Sequence, residues 1–106
     1  MKLKTLTQET FQHHIMENKN VVVKFTAPWC GPCRASQPIF ESAADHHPDV
    51  SFVEVDVDQQ PRLAAMFNIR SIPTTMGWKD AKMVWHATGA PNPQALDKEI
   101  QKMKAA

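Results

Sequence analysis

The 106-residue sequence predicts an α/β fold with a mixed sheet covered by helices on both faces. Strand-like apolar runs alternate with helical patterns, the last two such runs flank a short turn, and an amphipathic segment closes the chain. The length suits a single domain over residues 1–106, large enough to bury a core.

Leu3 to Leu6 predict a short edge strand, and Thr7 is a good N-cap for a helix with Phe11 and Ile15 at i, i+4 spacing. Leu6 is placed to staple onto Phe11, and Asn18-Lys19-Asn20 reads as the turn that ends this helix. Val21 to Thr26 is β-branched almost throughout and lacks clean alternation, the pattern of a central strand buried on both faces. A helix is expected from about Cys30 to His46, with Ile39, Phe40, Ala43 and Ala44 inward and a kink at Pro38.

Ser51 to Val57 is a second buried-type strand, after which Asp58 is expected to cap a short helix that Pro61 begins. Leu63, Ala64, Met66 and Phe67 give that helix its apolar contacts. Thr74 to Trp78 and Lys82 to Ala87 flank the turn Lys79-Asp80-Ala81 as a hairpin, with Gly77 marking a bulge or close packing. Asn92 and Pro93 form an N-cap and N1 pair for a last helix whose Leu96, Ile100 and Met103 make one core-facing stripe.

A formal net charge of +1 and a 42% hydrophobic composition give no electrostatic case for nucleic acid or a membrane surface. The basic N-terminal stretch runs into polar residues and not into an apolar signal core, and no segment is long and apolar enough to span a bilayer. With no cysteine to spare for a structural bridge, the expected setting is a reducing cytoplasm. Three glycines and no phosphate-binding loop argue against a nucleotide fold, so electrons are expected from a partner protein or a small thiol and no bound cofactor is needed.

The only two cysteines stand in Trp29-Cys30-Gly31-Pro32-Cys33, where the first buried strand gives way to a helical pattern. Unpaired N–H groups at a helix N-terminus stabilise a thiolate, which makes Cys30 the expected nucleophile. Cys33, one helical turn later, is in reach to resolve the mixed disulfide that the first attack creates. Gly31 allows the tight turn, and Pro32 fixes φ where its missing N–H would be unpaired anyway. A structural zinc site is disfavoured because no second cysteine pair completes four ligands.

This motif after a hydrophobic strand resembles the thioredoxin family, and the resemblance extends over essentially the whole chain, including the βαβαβαββα order. It implies a five-stranded mixed sheet flanked by four helices and a thiol-disulfide oxidoreductase that reduces protein disulfides, with a redox disulfide between Cys30 and Cys33. It also implies a monomer whose partners are disulfide-containing substrate proteins and a thioredoxin reductase drawing on NADPH.

Arg70-Ser71-Ile72-Pro73-Thr74 matches the family's cis-proline loop, which assigns Pro73 as cis and lets the Ile72 backbone pair with an extended substrate segment. Trp29, Ile72, Pro73, Gly89 and Ala90 match the apolar docking surface. Two rivals remain: a more oxidising oxidase or isomerase, and a binding module that uses the same surface with redox state as a switch.

The sequence departs from the family at Lys24, where thioredoxins usually carry an aspartate beneath the active site, and at Glu54, where many have lysine. The signs look exchanged, so a Lys24–Glu54 ion pair is expected behind Cys33, one of its members handling the resolving thiol's proton. The competing expectation is that Lys24 snorkels to water. Thr26 replaces a common aromatic, and Ala81 a common hairpin glycine. His13-His14 and His46-His47 are read as solvated and His86 as surface or structural, all without a metal role, and Met66 and Met103 as core fillers.

Overall fold

A computed structural model describes residues 3–106; Met1 and Lys2, which begin the basic N-terminal stretch, lie outside the described residues. The elements are β1 (Lys4–Thr5), α1 (Gln8–Glu17), β2 (Asn20–Thr26), α2 (Gly31–His46), β3 (Ser51–Asp56), α3 (Pro61–Met66), β4 (Thr74–Lys79), β5 (Lys82–Thr88) and α4 (Pro93–Ala105). The five strands form one mixed sheet in the order β1-β3-β2-β4-β5. β1, β3 and β2 run parallel, while β4 pairs antiparallel with β2 and β5 with β4. This is the expected five-stranded, four-helix arrangement.

The two faces of the sheet explain why β2 reads as a continuous apolar run. Val21, Val23 and Phe25 join Val53 and Val55 of β3 in a core with Phe11 and Ile15 of α1 and Leu63 of α3. Val22 and Phe52 face the other way, into a core with Phe40 of α2 and Leu96, Ile100 and Met103 of α4. Covered on both sides, β2 buries every residue from Val21 to Phe25, and the one charged residue inside this run, Lys24, is only 1% exposed.

Local chemistry sets the ends of the helices. Thr7 caps α1, its N–H donating to Thr10 Oγ1 at 2.9 Å. Asn92 Oδ1 accepts from the N–H groups of Gln94 and Ala95 and starts α4, with Pro93 in its first turn. α2 continues through Pro38, which forgoes one backbone hydrogen bond. Asp58 does not cap α3: Gln60 is the N-cap, and Asp56 Oδ1 instead accepts from the N–H groups of Asp58 and Gln59.

Trp85 of β5 lies across Gly77 of β4 at an irregularity in the hairpin register, so Gly77 marks both a bulge and a close approach. Met66 does not fill the core, since it is 67% exposed on a six-residue helix that turns only Leu63 fully inward. Among the described residues, no helix is long and apolar enough to cross a membrane.

Candidate active site at the N-terminus of α2

β2 delivers the chain to buried Ala27, from which Pro28 and Trp29 turn it into α2. Cys30 is the helix N-cap, and the Cys33 N–H donates to its sulfur at 3.2 Å. The two cysteines are joined as a disulfide, their Cα atoms 5.3 Å apart. Both are buried in a cluster with Ala27, against which Val57 and Ile72 pack. Cys30 keeps 4% exposure and Cys33 only 1%.

A second loop closes the site. The Ile72–Pro73 peptide bond is cis, and Cys30 Sγ lies 3.8 Å from the Ile72 carbonyl oxygen. Thr74 Oγ1 donates to Ser71 O at 2.6 Å, and the Gly89 N–H donates to Pro73 O at 2.8 Å, tying this loop to the end of β5. Trp29 stands 68% exposed beside it and donates its indole N–H to Asp58 Oδ2. Of the expected docking residues, Trp29, Gly89 and Ala90 are exposed and Ile72 is half-buried. Pro73 is buried.

A thioredoxin family model matches residues 2–102. The chain belongs to the thioredoxin family. A Streptomyces coelicolor relative is 42% identical over 85 residues, 80% of this chain and 63% of that protein. A Chlamydia trachomatis thioredoxin is 36% identical over 100 residues, covering 94% of this chain and 97% of its own length. The crystal structure of oxidised mitochondrial thioredoxin 3 from Saccharomyces cerevisiae superposes with a TM-score of 0.88 at 37% identity, covering 94% of each chain.

Family and geometry together make this thioredoxin-type chain a protein-disulfide oxidoreductase whose Cys30–Cys33 pair supports dithiol–disulfide exchange. The chemistry follows from the helix end. A thiolate forming on Cys30 gains the Cys33 N–H as a donor and the positive end of a 16-residue helix. The sequence separation of three places the Cα atoms 5.3 Å apart, within the range a disulfide spans.

Lys24 occupies the position beneath the pair, and its partners differ from those expected. Its ammonium donates to Cys33 O at 2.8 Å and to Gln37 Oε1 at 2.7 Å, and it lies 4.8 Å from the centroid of the Phe40 ring. Glu54 is its register neighbour across the β2–β3 pairing, but the direct hydrogen bonds go to α2 and not to that carboxylate. The expected Lys24–Glu54 ion pair is thus replaced by hydrogen bonds to α2, with Glu54 acting through space. Burial pushes the Lys24 pKa below its ordinary value of 10.5, while the charges of Glu54 and Glu41 pull it back up. At 1% exposure Lys24 does not snorkel.

His47 was expected at the surface but is 6% exposed. Its Nε2 lies 2.6 Å from Asp97 Oδ1, and Lys104 Nζ donates to its Nδ1 at 3.1 Å, so it pins the end of α2 to α4. Lys79, also buried, donates to the carbonyl oxygens of Met103, Lys104 and Ala106 and caps the C-terminus of α4. Neither role has a local sequence signal, because the partners stand 24 to 57 residues away. Among the described residues, no three His, Cys, Asp or Glu side chains converge as a metal site.

Proposed function

We propose that this chain works as a monomeric, cytoplasmic reductase of protein disulfides, recharged by a thioredoxin reductase with electrons from NADPH, and so acts as an electron carrier in cellular redox balance. The Cys30 thiolate attacks one sulfur of a substrate disulfide, breaking that bond and releasing the other sulfur as a thiolate. Cys33 then attacks Cys30 Sγ, the mixed disulfide breaks, and the substrate leaves with both of its sulfurs reduced. Two electrons pass from the dithiol to the substrate, and the Cys30–Cys33 disulfide awaits the reductase.

The observation that carries this reading is the position of Cys30 Sγ, at a helix N-terminus and 3.8 Å from the Ile72 carbonyl. An extended substrate segment that pairs with the Ile72 backbone lays its disulfide against that sulfur. Trp29, Gly89 and Ala90 offer the exposed surface around the gap, over buried Pro73. Gly31 and Pro32 shape the first turn that holds the sulfurs together. The cytoplasmic assignment rests on the use of both cysteines in this pair, since a reducing compartment asks for no structural disulfide; the family itself includes bacterial and mitochondrial members.

The test is coupled turnover: the reduced chain with a disulfide-bonded protein substrate, a thioredoxin reductase and NADPH, followed by NADPH consumption. Sustained turnover that vanishes in Cys30→Ser supports the reading, and substrate binding that survives loss of both cysteines with no turnover in the wild type supports the binding module. One observation favours a second reading, a more oxidising oxidase or isomerase: the charge of Lys24 lies beneath the pair and favours thiolates. Equilibration with a glutathione series decides, because a potential above that of the glutathione pool would contradict a reductase.

A further inference from the structure

Lys24 is a buried charge that the exchange steps leave without a task. Its side chain lies on the α2 side of the sheet, where the ammonium meets the backbone of Cys33 itself. Three contacts hold it there: Cys33 O at 2.8 Å, Gln37 Oε1 at 2.7 Å and the face of Phe40. All three suit an ammonium, which has donors and no acceptor, better than a free amine.

Beside this group opens a cleft of about 570 Å³ whose walls include Cys33, Arg34, Gln37, Glu41, Glu54 and Asp56. Cys33, 1% exposed, thus lines a cleft of mixed character, in which these polar side chains stand beside Leu3, Ala27 and Pro28. The charged groups near Lys24 come from two elements: Glu41 from α2 and Glu54 from β3. β4 contributes only Thr75, its uncharged register neighbour.

We propose that Lys24 is the positioning charge for the resolving thiol: it favours the Cys33 thiolate while Cys30 is tied up in the mixed disulfide, and the Cys33 proton leaves through the cleft lined by Glu54. The step balances. Cys33 gives its proton to solvent water entering the cleft, its sulfur bonds to Cys30 Sγ, the bond from Cys30 to the substrate sulfur breaks, and the departing thiolate is protonated from water. An ammonium here cannot accept the Cys33 proton, so it acts by charge, and Glu54 both sustains that charge and stands on the exit route. This inference rests on the dithiol-exchange reading above.

Linkage provides a test that needs no variant. If Lys24 stabilises a thiolate, then formation of that thiolate stabilises protonated Lys24 by the same amount. In the wild-type protein labelled with ¹⁵N at lysine, the Lys24 Nζ titration midpoint should lie higher in the dithiol form than in the disulfide form, by roughly half a unit or more. An unchanged midpoint overturns the proposal whatever a variant does.

Lys24→Met supplies the second readout. Removing the charge should raise the Cys33 thiol pKa by about one unit, a tenfold loss of thiolate at a given pH. The pH profile of mixed-disulfide resolution should move alkaline with it, and the glutathione equilibrium should move toward the disulfide form. A folded variant with unchanged thiol pKa values and pH profile also overturns the proposal. Disulfide reduction by the wild type, run in parallel, separates failure of this inference from failure of the reductase reading.

Discussion

The Trp29 indole N–H donates to Asp58 Oδ2 at 2.5 Å, tying the first residue of the Trp-Cys-Gly-Pro-Cys motif to the loop after β3. Trp29 is 68% exposed, so packing does little to hold its ring and this hydrogen bond sets its orientation. Asp58→Ala frees the indole beside the substrate gap. Loss of about 1 kcal/mol of orientation should lower kcat/KM for protein disulfides roughly fivefold while leaving the glutathione equilibrium of the cysteines unchanged. Insulin-reduction kinetics alongside redox equilibration check both halves.

The β4–β5 turn carries strain that its sequence announces. Asp80 and Ala81 both have positive φ, 51° and 66°, the conformation in which glycine is preferred at the second position of a two-residue hairpin. Ala81 carries a Cβ there. Ala81→Gly should stabilise the protein by about 1 kcal/mol, read as a higher urea midpoint at unchanged slope.

The opposite change is expected one strand inward. A Cβ on Gly77 would stand 2.0 Å from Trp85 Nε1, closer than any tolerated contact. Trp85 packs against the core shared by α2 and α4, so its ring must leave that packing to make room. Gly77→Ala should cost about 1–3 kcal/mol and alter tryptophan fluorescence in the folded state.

Much of this was legible in the sequence because the signals were local. The β-branched run Val21 to Val23 gave a doubly covered strand, the Asn92-Pro93 pair gave the start of α4, and the motif at a strand-to-helix junction placed Cys30 at the start of α2. What escaped depended on distant partners. Glu54 was the expected partner of Lys24 because the two signs look exchanged relative to the family, yet Gln37 and the Cys33 carbonyl reach it from a helix that packs across the sheet. His47 looked like one of a solvated pair until Asp97, 50 residues on, claimed its ring. Asp56 and Asp58 share one spacing, and only the folded loop decides which one caps the turn and which one binds Trp29.

Two titrating regions give stability opposite tests at the ends of the pH range. The hydrogen bond from His47 holds the Asp97 carboxyl below its ordinary range, and that from Lys104 does the same for Asp49. Their folded pKa values are depressed, so the stability they contribute is present above the unfolded value of 3.8 and is lost as pH falls through the folded values. Asp97→Asn should flatten part of that acid loss in urea titrations between roughly pH 5 and pH 2.

At the alkaline end, burial lowers Lys24 below 10.5, so the unfolded chain binds that proton more tightly than the folded one. This group therefore makes stability rise with pH from its folded value up to 10.5, and Lys24→Met should remove that rise. Urea midpoints of the wild type and the variant across the alkaline range provide the comparison.

The division of labour between the two sulfurs is the centre of this account, and trapping tests it most directly. Reduced Cys33→Ser is mixed with a disulfide-bonded protein substrate, quenched by thiol alkylation, and mapped by peptide mass. A covalent adduct on Cys30 that persists, with no turnover and with no adduct in Cys30→Ser, is the result the account predicts. Full turnover by Cys33→Ser, or an adduct forming on Cys33 when Cys30 is replaced, would contradict it.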